Sequence, residues 1–308
     1  MTGPPGLPPD RERCLRAYVE GRRLRDLALV GSGFEFAVYR ATDPAQGPLA
    51  LRVARRRTFE NANDPYVDSR ALLRQEHAIA SALADRGFPV ARPYDLVLGD
   101  VDILVSELVE SDGSGFSSHE VGRWLATLHS HPPPPWLPVA NGELAANEQV
   151  RQRMARRWGE LRRRVPDLPD PPADSLLGAL LAGSEARRLL HLDVRAANLA
   201  RRGGRVTAFL DWSNSLVGPP ALELARAAEF ARLPENELDE DELRRGYAEV
   251  APLPGDRGAD LVFRLDAAVM LGLVFTSEAP AAARGVAAVE RVRELLDRLL
   301  RLEPRPSL

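Results

Sequence analysis

The chain predicts an α+β protein in two parts, a small N-terminal antiparallel sheet with one packed helix and a larger, mainly helical C-terminal part. Three observations carry this. Apolar residues alternate at period two through "LALVGSGFEFAVYRATDPAQGPLALRVARRR", and they recur at helical spacing in residues 68–86 and through most of the chain beyond Ser117. Between Leu189 and Ser215, "LLHLDVRAANLARRGGRVTAFLDWSNS" breaks two apolar runs with His191, Asp193, Asn198 and Asp211, positions that a chain building only a core would fill with apolar side chains.

In order along the chain, "RERCLRAYVEG" reads as a helix, and the alternating stretch after it as a three-strand meander turning at "DPAQGP". A helix over 68–86 follows, then "RPYDLVLGDVDILVSELVE" as a hairpin turning at Gly99-Asp100. "SSHEVGRWLATLHSH" opens on serine capping candidates with a glutamate behind them, and Pro132 to Pro135 forbid its continuation. Residues 144–165 and 173–190 read as helical and arginine-rich, "PALELARAAEFAR" as a helix, and a helical segment is expected near 239–250. Two long helices are expected from about 256 to 303. The division is placed after residue 108, giving parts 1–108 and 109–308. The tryptophans Trp124, Trp136, Trp158 and Trp212 read as core.

The composition fits a soluble globular chain of 308 residues with net charge −3, and nothing in it calls for nucleic acid or a membrane. Cys14 is the sole cysteine, which rules out an internal disulfide framework. No run reaches the roughly 18 apolar residues of a membrane span, and the N-terminus lacks a signal-peptide core, so a cytoplasmic location is expected. All 41 basic residues are arginine. Any role that usually falls to lysine therefore falls here to a residue with a planar, permanently charged fork.

The polar set in 189–215 has a chemistry. An aspartate on a loop can accept a hydroxyl proton, while an Asn five residues on and an Asp thirteen beyond that supply hard oxygens of the kind Mg²⁺ prefers. Phosphoryl transfer asks for such a set, because it needs charge neutralisation and positioning and little covalent chemistry from the protein. These residues resemble the pattern of the aminoglycoside phosphotransferase family, with His191-Leu192-Asp193, Asn198, Asp211-Trp212, Gly218 and Glu223-Leu224-Ala225 in order. Leu192 stands where the family has Gly, Gly218-Pro219-Pro220 replaces its Gly-Asp-Pro turn, and Glu223 replaces an Asp that reaches back to loop amides.

The resemblance implies a bilobal protein-kinase-like fold and an ATP-dependent, Mg²⁺-requiring transfer to the hydroxyl of a small molecule of the antibiotic, sugar or amino alcohol class, with GTP as the alternative nucleotide. It assigns 1–108 to nucleotide binding and 109–308 to the catalytic loop and acceptor site. By the same resemblance Asp193 is the base, Arg195 contacts phosphate, and Asn198 and Asp211 hold the metal, with His191 bracing the loop. Gly31 and Gly33 allow close backbone approach to phosphates and Val38 covers the base. Arg52 stands at the family's lysine position with Glu76 as its partner, and the adenine rests on the backbone around Glu107 and Val109. Two further readings stay open: a kinase acting on Ser or Thr of a peptide, and a nucleotide-binding pseudokinase. The acidic run from Glu235 to Glu242 reads either as a solvated face or as a site for cationic acceptors. Oligomeric state is not legible from the chain.

Overall fold

The computed structural model describes residues 6–134, 137 and 144–302, so Trp136 lies outside the described residues. Helix α1 (Pro9–Gly21) starts with Pro at its first position, where no backbone donor is needed, and packs Leu15 against the sheet. Strands β1 (Arg25–Ser32), β2 (Phe36–Asp43) and β3 (Gly47–Ala54) form the expected meander. The short pair β4 (Thr58–Phe59) and β5 (Val67–Asp68) leads into α2 (Ser69–Ala84), whose N-terminus is capped by the Asp68 carboxylate accepting from the amides of Arg70 and Ala71. The hairpin of β6 (Pro93–Val97) and β7 (Ile103–Glu107) completes a five-stranded antiparallel sheet in the order β1-β2-β3-β7-β6.

The second part opens with α3 (Ser118–His129), capped by Ser117 as its sequence predicts, followed by α4 (Ala146–Arg164) and α5 (Asp174–Leu181). The expected helix over 173–190 is shorter than its pattern. It ends at Leu181, the chain reverses at Gly183, and residues 188–190 form strand β8.

 The φ of Gly183 is 85°, a left-handed value that glycine adopts without strain, and the backbone groups of 188–190 then pair with a later strand instead of continuing a helix. Strands β9 (Leu199–Arg202) and β10 (Arg205–Phe209) form a hairpin, and β11 (Leu216–Gly218) is the partner of β8. The remainder is helical: α6 (Pro220–Ala231), α7 (Glu240–Ala248), α8 (Arg257–Leu273), a π-helical turn over Val274–Glu278, and α9 (Ala282–Leu300).

Two cores hold the second part together. One gathers Trp158 of α4 with apolar faces of α5, α6, α8 and α9. The other joins the two parts of the molecule, because Ile79 and Leu83 of α2 share a cluster with Val194, Leu199, Phe209 and Trp212 of the hairpin region and with α3 and α7. Helices α3 and α7 approach closely, and a Cβ on Gly122 or Gly246 would fall 2.0 Å from the Leu243 carbonyl oxygen or 1.9 Å from that of His119. The fold is the bilobal, protein-kinase-like arrangement that the sequence predicts. Among the described residues, no helix is long and apolar enough to cross a membrane.

Candidate functional site

Strand pairing sets the floor of a cleft between the two parts. Val38 lies directly across from Arg52 in the β2–β3 register, so both side chains leave the same face of the sheet, and Phe36, two residues before Val38, shares it. The Arg52 guanidinium lies 4.4 Å from the centroid of the Phe36 ring. Its Nη2 donates to Asp211 Oδ1 at 2.6 Å, and its Nε is 3.2 Å from Glu76 Oε2 in an ion pair poorly aligned for a hydrogen bond. Strand β3, helix α2 and the turn after β10 thus meet at one cation.

The electrostatics follow from this geometry. Burial alone lowers the Arg52 pKa, but Asp211 and Glu76 outweigh it and hold the guanidinium charged. Burial raises Asp211, yet Arg52 and the Ser213 hydroxyl bring it down to about 2, so it is a carboxylate at any physiological pH. Burial dominates at Glu76 and is only partly offset by Arg52, with Asp211 adding to the rise, which leaves it at about 7. Glu35, at the tip of the β1–β2 turn, is also raised, first by burial and then by the charge of Asp211.

The loop after β8 is braced from three sides. Glu223, in the first turn of α6, accepts from the backbone N–H of His191 at 2.5 Å and of Leu192 at 2.9 Å, so the longer side chain still reaches the loop. The buried His191 ring bonds through Nε2 to the Leu210 carbonyl and through Nδ1 to the Asp193 amide, and it packs edge-on against Trp212. Leu192 has φ of 60°, a left-handed conformation, which accounts for glycine at this place in the family pattern. Its side chain is buried in the helical core, and that burial offsets the strain.

On this loop Asn198 Nδ2 donates to the Asp193 carbonyl oxygen at 2.9 Å and to Asp193 Oδ2 at 2.7 Å, which leaves the Asn198 side-chain oxygen as the acceptor of that amide. Arg195 forks onto the same carboxylate, with Nε 3.1 Å from Oδ1 and Nη2 3.3 Å from Oδ2. Asp211 has φ of 64°, a turn conformation that Asp tolerates.

Gly31 pairs with Val38, and a Cβ there would touch the Val38 side chain at 3.4 Å. The Gly33 amide closes the turn onto the Phe36 carbonyl. Glu107 ends β7 at the rim, and Val109 follows in the connection to α3. The structure thus brings Arg52, Glu76 and Asp211 into contact, and Asp193, Arg195 and Asn198 into a second contact group. Two contributors were missed in the sequence. Gln75 ties α2 to the carbonyls of Trp212 and Ser213, and its position beside Glu76 is the signal that could have found it. Phe36 is found by strand alternation from Val38.

Most carboxylates of the acidic run are already engaged. Asp239 caps α7, while Glu235, Glu237, Glu240 and Glu242 pair with Arg284, Arg201, Arg264 and Arg245.

The donor set fits Mg²⁺. It offers one firmly ionised carboxylate and one amide oxygen, and Mg²⁺ characteristically takes one or two protein oxygens and completes its shell with substrate phosphates and water. Among the described residues no group of three or more His, Cys, Asp or Glu gathers into a self-sufficient metal cage.

The model of the phosphotransferase enzyme family, APH, matches residues 26–261. Among solved structures, aminoglycoside phosphotransferase APH(4)-Ia, as a thermostable mutant with AMP-PNP and hygromycin B, is 14% identical with a TM-score of 0.60, covering 92% of this chain and 97% of its own. A candidate fructosamine-3-kinase from Haemophilus somnus 129PT is 13% identical with a TM-score of 0.64, covering 93% and 98%. Macrolide 2'-phosphotransferase MphH from Brachybacterium faecium is 20% identical with a TM-score of 0.57, covering 91% and 97%. No curated protein sequence matches the chain.

Proposed function

The chain belongs to the phosphotransferase enzyme family, and from that premise we propose that it transfers the γ-phosphoryl group of ATP, with Mg²⁺, to a hydroxyl of a small molecule. The observation that carries the reading is Arg52, a buried cation from the sheet held between Glu76 and Asp211 at the place where polyphosphate would need a fixed positive charge. An arginine serves there because its fork can address a carboxylate and a phosphate together.

In this reading Gly31 and Gly33 let the backbone approach the phosphates, Val38 covers the base, and the backbone at Glu107 and Val109 receives the adenine. Asn198 and Asp211 would hold Mg²⁺, which neutralises phosphate charge. The acceptor oxygen bonds to the γ-phosphorus as the bond to the β,γ-bridging oxygen breaks, and ADP leaves with that electron pair. The acceptor's hydroxyl proton passes to Asp193, whose carboxylate Asn198 and Arg195 already orient. Arg195 exchanges part of its contact with Asp193 for the transferring phosphoryl group.

A calorimetric titration with ATP and with GTP, each with and without Mg²⁺, tests this. Mg²⁺-dependent ATP binding by the parent, lost in Asp211→Ala with the fold intact, is the expected result. ATP binding by the parent without phosphate transfer to any acceptor would favour the nucleotide-binding pseudokinase reading instead, and no nucleotide binding at all would overturn the proposal. Asp193→Asn is expected to keep ATP affinity and to slow ADP formation by roughly 10² or more. Equal turnover in that variant removes Asp193 from the mechanism.

A further inference from the structure

Beside the loop that carries Asp193 lies a polar cavity of about 560 Å³, walled by α4, the middle of α6, the segment after Asp211 and the β4–β5 connection. Its lining includes Arg153, Arg156, Arg157 and Arg226, with Asn214 and Tyr66. Within ion-pair distance three of these four guanidinium groups share two carboxylates. Asp266 pairs with Arg153 and lies 3.6 Å from Arg157, and Asp64 lies 3.4 Å from Arg157 and 3.6 Å from Arg156.

Arg226 has neither. It is 6% exposed, its Nη2 donates only to the Met270 sulfur at 2.8 Å, and its buried Nε has no hydrogen-bond partner. No carboxylate among the described residues lies within ion-pair distance of it. A buried charge left in that state is costly, and a fold tolerates one where a ligand supplies the missing anion. Burial and the charge of Arg153 both push the Arg226 pKa down, and the same two causes bring Arg157 to about 10, as expected where like charges crowd without enough counterions.

The location ties this cavity to the reaction. Arg226 is three residues beyond Glu223 on one face of α6, and Glu223 grips the backbone of His191 and Leu192. Asp193 is among the charges that bear on Arg226, while remaining committed to Asn198 and Arg195. Asn214 enters the lining only three residues after Asp211.

We propose that this cavity is the acceptor site and that it selects hydroxyl compounds carrying a carboxylate or phosphate group, with Arg226, Arg157 and Arg156 receiving the anion. The inference rests on the phosphotransferase reading, and it names the acceptor's charge. Cationic amino sugars are disfavoured by the same guanidinium groups. The anionic group takes no part in the transfer and serves to place the hydroxyl before Asp193.

The test uses the intact chain saturated with Mg²⁺ and AMP-PNP, so that added anions do not compete for the nucleotide cleft. Glycerol 3-phosphate, glycerate, glycerol and serinol form a set matched in size and differing in charge, and each is titrated calorimetrically in the millimolar range. The two anions are expected to bind at least about tenfold more tightly than glycerol, and serinol more weakly than glycerol; the order of phosphate and carboxylate identifies which anion the site prefers. Arg226→Met is expected to lose at least about tenfold in anion affinity, to keep AMP-PNP affinity, and to melt no lower than the parent, because an uncompensated buried charge has been removed. Arg156→Gln, at a partly exposed position, is expected to weaken anion binding with an unchanged Tm.

Binding of glycerol or serinol as tight as that of the anions overturns the proposal. So does failure of both anions to bind, or anion binding that survives in both variants. A lower Tm in Arg226→Met would make Arg226 a structural residue and would overturn its assignment as an anion receptor. If AMP-PNP fails to bind the parent, the phosphotransferase reading falls by itself, and the same titrations run without nucleotide still decide the charge preference of the cavity.

Discussion

Two arginine-centred regions of this molecule differ in how their charge is balanced. In the cleft between the two parts a single guanidinium, Arg52, sits between two carboxylates, Glu76 and Asp211. In the neighbouring cavity three guanidinium groups share Asp64 and Asp266, and a fourth, Arg226, has no carboxylate within ion-pair distance among the described residues. The residue type is the same, so the difference lies in the ratio of cations to anions. The cleft has a carboxylate excess, which suits a site that receives a metal ion together with polyphosphate. The cavity has a cation excess, which suits an anionic ligand alone. In a chain without lysine, counting partners around each arginine separates the two kinds of site better than counting arginines does.

The largest expected effect comes from removing the cavity's buried anion. Asp266 is held below the usual carboxylate range because Arg153 and Arg157 outweigh the effect of burial. Asp266→Ala should cost about 3–5 kcal/mol of stability, since it strands Arg153 and Arg157 in a buried site. Urea denaturation checks this, and a loss below about 1 kcal/mol would mean that the cavity's charges are solvated and the contrast with the cleft is false.

Next in size is the cleft's own cation. Arg52→Met should lower kcat/KM for ATP by an amount equivalent to about 2–4 kcal/mol, because polyphosphate then lacks its fixed counter-charge. Arg52→Lys separates charge from geometry: activity retained means that a point charge suffices, and activity lost means that the site is built around a planar fork. Full activity in Arg52→Met would move the phosphate contact to another arginine, Arg195 being the nearest in role.

A smaller effect is expected from pH. Glu76 has a folded-state pKa of about 7, above its ordinary value of 4.5. The folded chain therefore binds a proton there that the unfolded chain has lost, and this contribution to stability is complete below pH 4.5 and disappears as pH rises through 7. Asp211 has the opposite sign, since its pKa of about 2 makes a contribution that is present above its ordinary value of 3.8 and lost as pH falls through 2. Of these two groups only Glu76 changes between pH 4.5 and 7, and Glu35, which burial also raises above its ordinary value, adds a contribution of the same sign. Glu76→Gln should flatten the fall of Tm across that window, and an unchanged slope would mean that Glu76 is ionised throughout. The smallest effect sets the baseline: Arg92→Gln breaks an exposed pair with Asp85 and should change stability by less than about 1 kcal/mol.

Much of the cleft was legible before the fold because its residues carry local signals. The alternation of β2 and β3 and the family pattern singled out Val38 and Arg52, which the strand register then puts on one face, and the spacing from His191 to Asp211 marked a loop and hairpin that a core would not need. Other features were not legible. The periodicity of 173–190 continued past the true helix end, because the partner that claims residues 188–190 lies at 216–218, beyond the reach of a local pattern. The acidic run read as a solvated face or an acceptor site, and its pairing with arginines brought from β9, α8 and α9 was beyond the reach of a local pattern.

By itself the sequence determined most element types, the division into a sheet part and a helical part, and the polar residues set into the loop and hairpin over 189–215, since these depend on periodicity, caps and turns within a few residues. The tertiary structure alone decided which charges meet. Arg52 finds Asp211 across 159 positions of chain, and Arg226 is left without an anion although acidic residues are plentiful in its vicinity along the sequence. The physical reason is that charge compensation acts over a few ångströms in a low-dielectric interior, a distance that packing sets and sequence separation does not.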